Sequence, residues 1–232
     1  MIIWIASYPK SGNTWLRSLL SSYYFSKDGS FDLSLLNRIK SFPNANYFKN
    51  YPDKFFNPED TSKYWIEEQN KINKDKKLIL IGSSMGSWIA LNLFPVLKKQ
   101  IIGFIGIASA PEFLEKLMWN KFSKKIKTML MTNKIYHLDH GGFNYPLTKQ
   151  LIFNGRKNKI IKNKINLGIP IVLFHGLNDE VVPISFSRKI LKICNKSKRK
   201  LIKIKRGDHS LSKKNDLKKI CKELDNMINN FI

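Results

Sequence analysis

Acidic residues are scarce in this chain: seventeen Asp and Glu stand against forty-one Lys and Arg, a formal net charge of +24. Such an excess is compatible with nucleic-acid or anionic-membrane partners. The lysines, however, are scattered among abundant Ile and Asn, and no stretch interleaves aromatic and basic residues in the manner of a binding module. Specific nucleic-acid binding is therefore not expected, whereas attraction of anionic substrates stays open. Cysteine is nearly absent. Cys194 and Cys221 sit far apart in helix-like stretches without metal-ligand spacing, so they read as buried free thiols, with no disulfide framework and no metal. Long apolar runs are missing too, since none approaches the ~18–20 residues a membrane-spanning helix needs. The short apolar opening, residues 1–6, has no basic lead and does not read as a secretory signal, and a cytoplasmic location is the expectation. There is no internal repeat.

What remains is an apolar fraction of 43% over 232 residues, enough for one ordinary core. Apolar runs at 2–6, 77–82, 101–108, 170–176 and 201–204 read as strands. Helical spacing is read at 13–24, near 33–39, and at 60–73 with Asp60, Thr61 or Ser62 as its cap. It recurs at 88–97, 185–194 and 216–232. Strands alternating with helices predict an α/β three-layer sandwich: a mostly parallel five-stranded sheet with helices on both faces. Residues 111–165, helical, irregular and rich in Lys, Met and aromatics, are expected to form a lid between two strands.

The stretch Gly82-Ser83-Ser84-Met85-Gly86 follows a buried strand and opens a helix. This G-x-S-x-G arrangement holds a serine on a strained turn with its hydroxyl exposed at the end of the sheet. Acyl transfer also needs a base for the serine proton and a carboxylate to orient that base. Asp179 follows a later strand and His209 the last one, so Ser84, Asp179 and His209 all fall at C-terminal strand ends, where parallel sheets build their sites. Asp208 is expected to shape the turn beside His209, and His175 to be a structural turn residue. Trp88 and Trp119 are expected to line the core or an acyl pocket. His137, Asp139 and His140 have no further ligand placed by spacing and are read as lid loop rather than metal site. At the other end, a strand, the loop Ser7-Tyr8-Pro9-Lys10-Ser11-Gly12 and a helix starting at Asn13 have the layout of an anion cradle, in which helix N–H groups and a lysine meet a phosphate.

Two resemblances follow from these residues. From about residue 77 to the end, the chain resembles α/β-hydrolases, in particular the small esterase and acyl-protein thioesterase branch. The likeness is carried by Ile81-Gly82-Ser83-Ser84-Met85-Gly86-Ser87-Trp88, by His175-Gly176-Leu177-Asn178-Asp179-Glu180-Val181-Val182-Pro183 and by Gly207-Asp208-His209. It implies a truncated hydrolase core cleaving a small-molecule or acyl-chain ester or thioester without cofactor. Ser84 would be the nucleophile, His209 the base and then acid, Asp179 its orienter, and the Met85 N–H one oxyanion donor. Residues 8–17, Tyr8-Pro9-Lys10-Ser11-Gly12-Asn13-Thr14-Trp15-Leu16-Arg17, with 55–60 and 64–73, resemble PAPS-dependent sulfotransferases. There Lys10, Ser11, Gly12, Asn13, Thr14 and Trp15 would surround the phosphosulfate of PAPS. The organisation expected is a sulfotransferase-like segment, 1–76, packed into the same sheet as a hydrolase-like core, 77–232. The hydrolase's early strands and the loop carrying its second oxyanion donor have no counterpart, and an N–H near Tyr8 is the expected surrogate. Loss of one donor costs ~10²–10³ in rate. A PAPS-binding sulfotransferase relative and a chimaeric product without efficient activity are the alternative readings, and a monomer or homodimer is expected.

Overall fold

The computed structural model describes residues 1–6, 13–28, 30, 32–39, 49, 58–132, 134–140 and 143–231. Its strands are β1 (Ile2–Ala6), β2 (Leu78–Ser83), β3 (Ile101–Ile107), β4 (Tyr136–His140), β5 (Phe143–Leu147), β6 (Pro170–Gly176) and β7 (Lys198–Ile204). Its α-helices are α1 (Asn13–Phe25), α2 (Pro58–Asn73), α3 (Met85–Asn92), α4 (Phe94–Leu97), α5 (Lys124–Met131), α6 (Lys149–Lys157), α7 (Ser185–Ile193) and α8 (Lys214–Asn229). A 3₁₀ turn spans Leu33–Arg38, held by the Arg17 guanidinium, which donates to the Leu36 and Ile39 carbonyls.

Among the described residues, five strands form one parallel sheet in the order β1-β2-β3-β6-β7. The strands β2, β3 and β6 are near-continuous apolar runs because both of their faces are covered. The two-residue side-chain period then sorts each strand between two cores. Ile79, Ile81, Ile105 and Phe174 pack with Leu16 and Leu20 of α1 and Ile220 and Leu224 of α8. Leu78, Leu80, Phe104 and Leu173 pack on the opposite face with Trp88 and Leu91 of α3 and Ile190 of α7. Strand β1 aligns Ile2 with Leu78 and Ala6 with Gly82, so the N-terminal strand lies beside the serine-turn strand, the adjacency a shared sheet requires.

Several boundaries differ from expectation. Helix α2 begins at Pro58, so Asp60, Thr61 and Ser62 lie inside it rather than capping it; proline's fixed φ and missing N–H suit a first helical position. The helix expected at 88–97 starts at Met85, directly on the serine turn, and breaks at Leu93 because Pro95 has no N–H to continue the ladder. Strand β7 begins three residues early, its basic edge residues masking its strand character.

The 111–165 insert contains a hairpin, β4 with β5, where a helical and irregular segment is expected. Gly141-Gly142 between two strand-forming runs is the sequence signal for such a hairpin. Glu112 ties the two ends of the insert together: one carboxylate oxygen accepts from the Ile160 and Ile161 N–H groups, at 3.0 and 2.8 Å.

Candidate active site

The serine turn is built by close approach. A Cβ on Gly82 would lie 2.5 Å from the Ser87 nitrogen and 2.6 Å from the Gly86 carbonyl carbon, so only glycine fits at that point. Ser84 takes φ 50° and ψ −117°, a left-handed conformation that costs about 1–3 kcal/mol and persists only where its surroundings enforce it. Here the Ser84 N–H donates to the Ile107 carbonyl and the Ser84 carbonyl accepts from the Ala110 and Ser87 N–H groups. Beneath the turn, buried Ser109 donates to Ser87 Oγ, which donates to the Gly82 carbonyl at 2.6 Å. Ser87 lies just past the serine motif, whereas Ser109 belongs to no motif recognisable in the sequence. Ser84 caps α3, where the first-turn N–H groups, that of Met85 among them, have no acceptor within the helix.

The loops after β6 and β7 meet over this turn. A Cβ on Gly176 would lie 2.3 Å from the Gly207 carbonyl oxygen, and the Leu177 and Asn178 N–H groups donate to the Ile204 and Gly207 carbonyls. This zipper brings together Ser84, Asp179 and His209, as expected from their strand-end positions. His209 Nδ1 lies 2.9 Å from Asp179 Oδ2 and Nε2 lies 3.1 Å from Ser84 Oγ. The carboxylate can only accept, so Nδ1 carries the proton and Nε2 is free to accept from the serine hydroxyl.

The Asp179 side chain is buried, and burial opposes its charge. The bonds from His209 and from the Val182 and Val181 N–H groups outweigh that penalty and hold its carboxyl below the usual range. Asp208 shapes the turn as expected, accepting from the Ser210 hydroxyl and from the Ser210 and Leu211 N–H groups. His175 is more than a turn residue. It is fully buried at the end of β6, donates from Nε2 to the Val182 carbonyl and accepts at Nδ1 from Ser187, with Asp179 Oδ2 3.5 Å from Nε2. Burial, first of all, pushes its pKa down and keeps it neutral. A histidine four residues before the acid is the signal that marks it in the sequence.

An apolar wall stands between the serine and acid loops, where Phe113 and Leu117 pack on Ala110, Val182 and Phe186. Trp88 is core, as expected, and donates from Nε1 to the Asn158 carbonyl. Trp119 is not core: it lies half-buried on the insert under the Arg156 guanidinium. His137 and Asp139 lie on β4, joined through Asn144, rather than in a loop. Among the described residues no group of three His, Cys, Asp or Glu side chains is arranged to hold a metal ion.

Tyr8, Lys10, Ser11 and Gly12 lie outside the described residues. Asn13, Thr14 and Trp15 form the first turn of α1, their side chains likewise outside the description.

No family model matches the chain. It is 23% identical over 159 residues to the human mitochondrial palmitoyl-protein thioesterase ABHD10, covering 66% of this chain and 51% of the relative. To its mouse counterpart it is 27% identical over 154 residues, covering 65% and 51%. The chain therefore spans about half the length of the curated relatives it matches. Among solved structures, a putative hydrolase from Agrobacterium vitis superposes with a TM-score of 0.65 at 29% identity, over 72% of this chain and 68% of that one. Mouse alpha/beta hydrolase domain-containing protein 10 superposes with a TM-score of 0.60 at 22% identity, over 73% and 70%. The fold is that of the α/β-hydrolases, with a truncated core. Nothing in these likenesses supports the sulfotransferase resemblance of the N-terminal residues.

Proposed function

We propose that the chain is a serine hydrolase of carboxylic esters or thioesters. The observation that carries this reading is the His209 ring, bridging Ser84 Oγ and Asp179 Oδ2 at 3.1 and 2.9 Å across three strand-end loops. In the proposed reaction Ser84 Oγ attacks the acyl carbon while His209 Nε2 takes its proton. Asp179 stabilises the imidazolium through Nδ1, and the Met85 N–H faces the developing oxyanion. His209 then returns the proton to the departing alcohol or thiol, leaving an acyl-serine. Water, deprotonated by His209, attacks that ester; the bond from the acyl carbon to Ser84 Oγ breaks, the acid leaves and His209 returns the proton to Ser84 Oγ.

The wall of Phe113, Leu117 and Phe186 beside the serine supports an apolar acyl group. The activity for which these relatives are named, palmitoyl-protein thioesterase, makes a long-chain acyl thioester the first substrate to try. A fluorophosphonate probe tests the nucleophile. Folded protein is expected to be labelled on Ser84, with no labelling of Ser84→Ala and a loss of about 10⁴ in labelling rate in Asp179→Asn. An unlabelled folded protein, or labelling that survives Ser84→Ala, defeats the proposal.

A further inference from the structure

The insert carries a surface that the proposed hydrolysis does not use. Lys127 Nζ stands 5.7 Å and the Arg156 guanidinium 4.7 Å from the Trp119 ring centre. Arg156 and Lys149 Nζ each stand 5.9 Å from the Phe153 ring. The Phe122 N–H donates to the Trp119 carbonyl, Tyr136 packs edge-on against Phe122 at 5.7 Å, and Ile135, one residue before Tyr136, is 53% exposed. Phe153 is 39% exposed among its cations. The helices α5 and α6 and the turn between β3 and α5 thus converge on one cluster of alternating cations and rings. Its charge is one-sided. Residues 111–165 hold twelve Lys and Arg against three carboxylates, a steeper excess than the forty-one to seventeen of the whole chain. Glu112 is buried on backbone N–H groups, Glu115 offsets only Arg156, with which it is paired, and Asp139 lies away on β4 beside Asn144, so Lys127 and Lys149 are left with their charge.

We infer that this cation–aromatic face of the insert docks on an anionic lipid surface. Charge complementarity selects the headgroups, because each lysine or arginine near an anionic leaflet strengthens binding about fivefold. The apolar tips select lipid over nucleic acid. Phe153 and the aliphatic Ile135 gain by entering the boundary of the acyl chains, whereas Ile135 offers nothing to stacked bases. Aromatic rings with a charged rim suit that interface, where one end of a residue is apolar and the other wet. The inference stands independently of the reaction proposed above.

Vesicle co-sedimentation of the full chain at ~0.15 M salt tests it. Binding is expected to vesicles one-third phosphatidylserine and not to pure phosphatidylcholine. The charge-neutral pair Phe153→Ser with Ile135→Ser should weaken binding at least about tenfold without moving the thermal midpoint. Reversing two distant charges, Lys198→Glu with Lys203→Glu on β7, should weaken it much less. If the serine pair unfolds the insert, Lys127→Gln with Lys149→Gln reads the same face. No binding to the anionic vesicles overturns the inference, as does equal loss from both surfaces, which marks diffuse charge. Tighter binding to a single-stranded RNA oligonucleotide through Phe153 also overturns it, in favour of a nucleic-acid surface.

Discussion

Ser84 is held out of ordinary backbone space by its neighbours rather than by its own preference. Gly82 is the residue that permits this, because a methyl group there meets backbone atoms at 2.5–2.6 Å that have no room to retreat. Gly82→Ala is expected to destabilise the fold by about 1–3 kcal/mol, the usual cost of overpacking, read from a denaturant midpoint. It should also slow fluorophosphonate labelling by displacing the turn. His175 makes a prediction about pH. Its folded-state pKa lies below the ordinary 6.5, so the unfolded chain binds a proton that the folded one refuses. Stability therefore rises with pH up to about 6.5 and is lost as pH falls below it. Asp179 acts in a separate, more acid window. Its depressed pKa contributes stability above the ordinary 3.8, lost as pH falls through the folded value. Urea denaturation at several pH values should show both slopes, and His175→Gln should remove only the upper one.

At the scale of elements, the insert is fastened at few points. Glu112, itself at φ 57°, reaches the N–H groups of Ile160 and Ile161 across 48 and 49 residues of sequence. Trp88 reaches Asn158, and Gly155 lies so close to the Leu114 side chain that a Cβ would stand 2.8 Å from it. Glu112→Ala leaves two buried or half-buried donors without their charged acceptor, a loss of about 1.5–3 kcal/mol. The expected result is faster proteolysis within 113–165 and a lower thermal midpoint. Unchanged protease resistance would show that the fastening lies elsewhere. The hairpin β4–β5 was legible only through Gly141-Gly142, because its strands mix polar and apolar residues and lie outside the main sheet. The cation–aromatic face was not legible at all. Its residues run from 119 to 156 and meet only when α5 and α6 fold back onto the turn at Trp119.

At the scale of the whole molecule, β1 belongs to the main sheet and α1 packs on it. β1 covers the edge of β2, and Leu16 and Leu20 of α1 fill the core against Ile79 and Ile81. A chain reduced to residues 77–232 would expose that edge and those isoleucines together, and exposed apolar edges invite association. We predict that this shortened chain aggregates, or melts well below the full chain in calorimetry. An unchanged midpoint would mean that the hydrolase-like part is a self-sufficient unit. No helix among the described residues is long and apolar enough to cross a membrane.

By itself the sequence determined the strand–helix alternation, the parallel sheet and the positions of Ser84, Asp179 and His209. Each of these rests on local signals: apolar runs long enough to be buried on both faces, and glycine turns at their ends. Only the tertiary structure decided how those ends meet. The φ of Ser84 is imposed by Ile107 and Ala110, and the hydrogen bonds of His209 depend on Gly176 lying against Gly207. The brace of His175 on the acid loop needs Ser187 and Val182 from different elements. Contacts between distant segments leave no periodicity in the chain, because chemistry at a strand end depends on which other loops arrive there.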